Sequence, residues 1–170
     1  HGTHDIRPSK DPESRTNHAN LQATCLRCHG AEAVKAGLPG GDIGSKFDDS
    51  IHGKALKGAA RASAPECTDC HGTHDMRPKS DPASKVSRER SPDTCGSCHK
   101  KEREAYVKSM HGKLRQEGML AAPGCTDCHS AHAIQEHDQP SFQTEVIKEC
   151  GNCHAEYLST YRNTFHGQVT

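Results

Sequence analysis

The sequence predicts a mostly irregular fold of short α-helices with little or no β-sheet, and three observations predict it. First, only 31 % of the 170 residues are hydrophobic and 4 % aromatic, tryptophan is absent, and the mean hydropathy is −0.89. Such a chain buries too little apolar surface to offset the entropy lost on ordering. Second, glycine- and proline-rich connections separate the stretches that have helical character. Third, Cys-x-x-Cys-His occurs five times: Cys25/Cys28/His29, Cys67/Cys70/His71, Cys95/Cys98/His99, Cys125/Cys128/His129 and Cys150/Cys153/His154. These motifs use all ten cysteines, so none is left for a disulfide.

Two thiols three residues apart, followed at once by histidine, form the attachment signature of haem c. The thiols bond to the two vinyl-derived carbons on one edge of the ring, and the histidine reaches the iron from one face. A zinc ribbon also uses Cys-x-x-Cys but pairs its motifs, and five is odd. Zinc chemistry also gives no reason for a histidine after every second cysteine. A disulfide framework would vary its spacings, and a thioredoxin-like motif would occur once. Five covalent haems, one for about every 34 residues, supply the missing core. The expected fold is therefore a chain wrapped around a close-packed haem array.

Formal charge is balanced, with 22 basic and 22 acidic residues, so no nucleic-acid partner is expected. Haem propionates would shift that balance to roughly −5 in the oxidised state and −10 in the reduced state. No run is apolar enough for a membrane span. Covalent haem attachment occurs outside the cytoplasm, which places the protein in the periplasm, at the cell surface or outside the cell.

Taken in order, the chain reads as a single pentahaem array over 1–170, in repeat-like units of about 1–66, 67–124 and 125–170. Two motif types alternate. One reads Cys-Thr-Asp-Cys-His-x-x-His, ending at His74 and His132; the other leads to a later His-Gly at His52, His111 and His166. His1-Gly-Thr-His4-Asp-Ile-Arg-Pro8 repeats His71-Gly-Thr-His74-Asp-Met-Arg-Pro78, so His1 stands where a motif histidine stands. The expectation is a portion of a longer multihaem chain, with a sixth haem near His1 or His4 from an upstream segment or a neighbouring subunit. Residues 5–15 and 77–93 are proline-rich loops. Residues 31–50 carry an insertion: Cys28 to His52 spans 24 positions, against 13 for Cys98 to His111 and for Cys153 to His166. Strong helix formers predict helices over 100–110 and 155–165. The His-Gly that follows each is expected just past the helix end, where glycine is usual.

Position in the repeat selects the second set of iron ligands. His29, His71, His99, His129 and His154 belong to the motifs. His4, His74 and His132 lie three residues after a motif histidine or its equivalent, and His52, His111 and His166 precede glycine after an apolar pair. These six are the expected distal ligands; His18 and His137 fit neither pattern and are expected at the surface. Met76 aligns with Ile6, and Met110 with Ile51 and Phe165, so these methionines read as packing. His71 and His74 lie only about one helical turn, or ~5 Å, apart and cannot grip one ring from both faces. Each short segment is therefore expected to bridge two haems.

On these residues the chain resembles the multihaem c-type cytochromes, among them electron-conduit decahaem cytochromes, small tetrahaem carriers and subunits of extracellular cytochrome filaments. The resemblance implies bis-histidine irons that carry electrons, stacked and T-shaped haem pairs, and partners that are redox proteins or further copies of a cytochrome, in a polymer or a larger parent. The expected function is a conduit segment and not an enzyme. Its rivals are the electron-input domain of a multihaem oxidoreductase and a discrete periplasmic carrier. Multihaem nitrite and hydroxylamine enzymes keep an open iron and can replace a motif histidine; here all five motifs end in histidine, and no catalytic residue is evident. Six distal candidates for five irons leave none open by count.

Overall fold

A computed structural model describes residues 1–38 and 40–169. About half of the chain is helical, in short pieces, and among the described residues there is no strand. The longest helix has 12 residues, and no helix is long and apolar enough to cross a membrane.

The helices are α1 (Leu21–His29), α2 (Ala31–Lys35), α3 (Ile43–Asp49), α4 (Ile51–Lys57), α5 (Cys67–His71), α6 (Ser91–Gly96), α7 (Lys100–Lys108), α8 (Met110–Gln116), α9 (Cys125–His129), α10 (Pro140–Gly151), α11 (Ala155–Arg162) and α12 (Phe165–Val169). Helices α2 and α3 occupy the insertion. The two motif types sit differently. Cys67–His71 and Cys125–His129 are complete single-turn helices, whereas Cys95 and Cys150 lie toward the C-terminal ends of α6 and α10 and Cys25 lies at the middle of α1. Packing brings α1 against α5, α6 against α9 and α9 against α10, so the first motif neighbours the second, and the fourth neighbours both the third and the fifth.

The two proline-rich loops fold identically, 70 positions apart. The N–H groups of Asp11, Ser14, Asn17 and Asn20 each donate to the carbonyl three residues earlier; Asp81, Ser84, Ser87 and Arg90 do the same. Pro8 and Pro78 supply only acceptors to this staircase, as proline must. Arg7 pairs with Asp11 at 3.1 Å and Arg77 with Asp81 at 2.8 Å. The Thr24 and Thr94 hydroxyls each donate to a carbonyl nine residues back, at 2.7 Å in both cases. A staircase of polar turns thus does what an apolar core does elsewhere.

The helices expected over 100–110 and 155–165 do not run through. Helix α7 stops at Lys108 and α8 starts at Met110, with Ser109 extended at φ −71° and ψ 164°. His111-Gly112 therefore opens a helix and does not follow one. The reason is a hydroxyl cap in all three copies. Ser50, Ser109 and Thr164 donate to the carbonyls of Phe47, Tyr106 and Tyr161 and accept from the N–H groups of Gly53, Gly112 and Gly167. One hydroxyl ends one helix and caps the next. The glycine is required by the tight corner: a Cβ on Gly53 or Gly112 would collide with the carbonyl oxygen of Phe47 or Tyr106.

There is almost no apolar core. Among the described residues the buried hydrophobic side chains are Ala33, Leu56, Ala64 and Ala122. The accessible surface is 11900 Å², against roughly 8,200 Å² for a compact monomer of this mass. Met110, Tyr157 and Phe165 are 70–75 % exposed.

Candidate haem sites

The single-turn motif helices are held by an aspartate inside the motif. Asp69 accepts from the Glu66 N–H and Asp127 from the Gly124 N–H, each at 2.7 Å. This cap fixes the turn that presents both thiols and the histidine on one side. The partly buried thiols follow the packing. Burial and then Cys25 push the Cys67 thiol up to about 12. Cys95 and Cys125 share a hydrogen bond, and Cys70 and Cys128 feel the charges of Cys98 and Cys150. From Cys25 to Cys150 the five motifs thus form one unbroken line of neighbours.

Histidines meet in twos. Ring centroids lie 5.7 Å apart for His1 and His74, 6.0 Å for His52 and His99, 6.0 Å for His71 and His132, and 6.1 Å for His111 and His154. Two imidazoles on opposite sides of one metal, each at about 2.0–2.1 Å, have centroids roughly 6.3 Å apart. The Nε2 atoms of His1 and His74 face each other at 3.4 Å, longer than the usual N···O hydrogen bond of about 2.9–3.0 Å. Burial first, and then a neighbouring imidazole, lowers the pKa of His52, His71 and His132. Each shift favours the neutral ring, the form that offers a lone pair to iron.

The residues fit haem c. A histidine follows both thiols of every motif, and His71, His99 and His154 each face a second imidazole with ring centroids 6.0–6.1 Å apart. A cleft of about 240 Å³ opens beside Cys150 and His154, lined by Ile147, Tyr157, Leu158 and Tyr161. The exposed Met110 and Phe165 offer apolar surface that a macrocycle would cover. Among the described residues no three His, Cys, Asp or Glu side chains converge on one point, as a zinc site would need.

The pairing is long-range and ordered. His71 does not face His74; it faces His132, and His74 faces His1. Of the six distal candidates, His52, His74, His111 and His132 face an imidazole across such a gap. His4 is exposed, and His166 holds an edge contact with Phe165 at 6.1 Å. Among the motif histidines, His29 lies near His71, and His129 stacks on Phe142 at 5.1 Å with His99 and His137 near enough to lower its pKa beyond the effect of burial. The sequence aligns His1 with the motif histidine His71 and sets a sixth haem near His1 or His4; in the structure it is His1 that faces a second imidazole, that of His74. His18 is only partly exposed, and its Nε2 lies 3.2 Å from the Ala64 carbonyl. Its aligned residue Arg88 reaches the Ala121 carbonyl, so the two side chains tie equivalent loops.

Five Cys-x-x-Cys-His motifs along such a line define a multihaem c-type cytochrome, an electron-transfer protein that carries iron in haem c. Residues 59–104 and 118–158, just over half of the chain, match the doubled CXXCH motif family, and the chain belongs to that family. Each match holds one motif of each type. No curated protein and no solved structure matches the chain.

Proposed function

We propose that the chain is a segment of an electron conduit built on bis-histidine c-type haems in an extracytoplasmic setting. The observation that carries this reading is the unbroken line of thiols, with a second imidazole opposite His71, His99 and His154. Haem c supplies one-electron iron chemistry when bound. The two thiols of each motif would hold a haem, and the imidazoles opposed to His71, His99 and His154 would serve as second iron ligands that exclude small molecules there. Because the two imidazoles of one pair come from different segments, each pair also fixes the distance between neighbouring segments. Redox proteins or further cytochromes are the partners at either end.

Electron paramagnetic resonance of the oxidised holoprotein tests this reading. Low-spin signals broadened by coupling between neighbouring irons are expected. Isolated, uncoupled signals would leave a discrete carrier, and a native high-spin iron that turns over nitrite or hydroxylamine would favour the enzyme reading.

A further inference from the structure

Each imidazole pair joins two repeats. His1 faces His74 and His71 faces His132, so these motif histidines meet a ring from the following repeat. His99 faces His52 and His154 faces His111, so these meet a ring from the preceding one. The middle repeat thus lends His74 backward and His111 forward. The pair of His71 and His132 also has company from the first repeat. Lys46, and less strongly Asp42, are the charges outside the pair that act on the His132 ring.

Both residues belong to α3 and its N-terminal edge, and the fold fixes that helix. Leu26 of α1 lies against Gly44, where a Cβ would meet its methyl carbons at 2.9 Å. Asp48 accepts from Gln22 of α1 at 2.7 Å and pairs with Lys57 of α4 at 2.9 Å. The Ile51 N–H, at the start of α4, donates to the Ile134 carbonyl at 2.9 Å, two residues past His132. A backbone hydrogen bond therefore holds the first repeat against the segment that carries this ring. Lys46 and Asp42, four residues apart, pair with each other at 2.6 Å. Among the three copies the lysine occurs once. Counting back four from the capping hydroxyls of Ser50, Ser109 and Thr164 gives Lys46, Ala105 and Thr160.

Resting on the bis-histidine reading, we propose that Lys46 and Asp42 set the reduction potential of the iron that His71 and His132 would share, Lys46 raising it and Asp42 lowering it. Reduction takes one electron from a redox partner and removes one positive charge from the haem core. A nearby cation therefore favours the ferrous state, and a nearby carboxylate the ferric state. Lys46 acts on the ring more strongly than Asp42, so the net effect of the pair is upward. Both side chains are about half exposed, so added salt screens the effect. The first repeat thus sets one step of the conduit apart from its neighbours by charge, without changing a ligand.

The test reads the midpoint potential of each haem in the full holoprotein by redox titration followed by NMR. The haem on Cys67 and Cys70 is recognised as the one that turns high-spin in His132→Ala. In Lys46→Gln that haem is expected to titrate at a lower potential, and in Asp42→Asn at a higher one. Lys46→Arg is expected to keep the parent value, and high salt to shrink both shifts. Shifts of the same sign in both neutral variants would mean a disturbed helix instead of a charge effect, and would overturn the proposal. A larger shift at another haem, or no shift at all, would overturn it too. If His132→Ala leaves every haem low-spin, the bis-histidine reading itself fails, which separates the two failures.

Discussion

Glu66 is 4 % exposed as a residue, and its Oε2 meets no donor. Burial raises its pKa first, against relief from the Cys67 backbone and from His18, with Asp69 pushing it up further. The folded state therefore binds this proton more tightly than the unfolded one. Its contribution to stability is present below the ordinary carboxylate pKa and is lost as pH rises through the raised value. Glu66→Gln is expected to remove that loss, so above this window the variant melts higher than the parent; a lower melting temperature at pH 7 would refute the assignment. The paired histidines give a second test at this scale. His132→Ala is expected to turn the iron on His71 high-spin and leave that on His129 unchanged, read by magnetic circular dichroism. The same change at His74 is expected to spare the iron on His71.

The decisive elements are the hydroxyl-capped corners. Ser109→Ala removes a cap that serves two helices, at a cost of about 1 kcal/mol. Gly112→Ala forces a Cβ into the Tyr106 carbonyl and is expected to cost about 1–3 kcal/mol. Both changes displace His111, so both are expected to perturb the iron on His154 before the others, read as a change in its spin state. Sequence alone showed the motifs, the repeat and the proline loops, because each is written in neighbouring residues. It missed the corners because 100–110 has good helix formers on both sides of Ser109, and propensity does not register a serine that caps forward. It also missed the His1–His74 pair. Those rings lie 73 residues apart, and only tertiary packing sets such a contact.

At the scale of the whole molecule, a surface far larger than a compact monomer's and a core that, among the described residues, consists of Leu56 and three alanines imply that cofactor and fold are one event. The chain without haem is expected to show no cooperative thermal transition by circular dichroism, and the loaded chain a sharp one. Mass spectrometry of the denatured protein is expected to show five haem additions; four or fewer would mean that a motif is not used.

The direction of ligand lending also sets an order in time. Export with the N-terminus leading would deliver the first repeat before the second, and the second before the third. On the proposed bis-histidine reading, an iron on His99 would take His52, which already exists when Cys95 emerges, and an iron on His71 would wait for His132, which emerges 61 residues later. Maturation is thus staggered, one site in each repeat sealing at once and the other standing open until its successor arrives. A chain ended after residue 124 freezes that moment. Its iron on His71 is expected to be high-spin and its iron on His99 low-spin, and the opposite result would show that the repeats do not mature in this sequence.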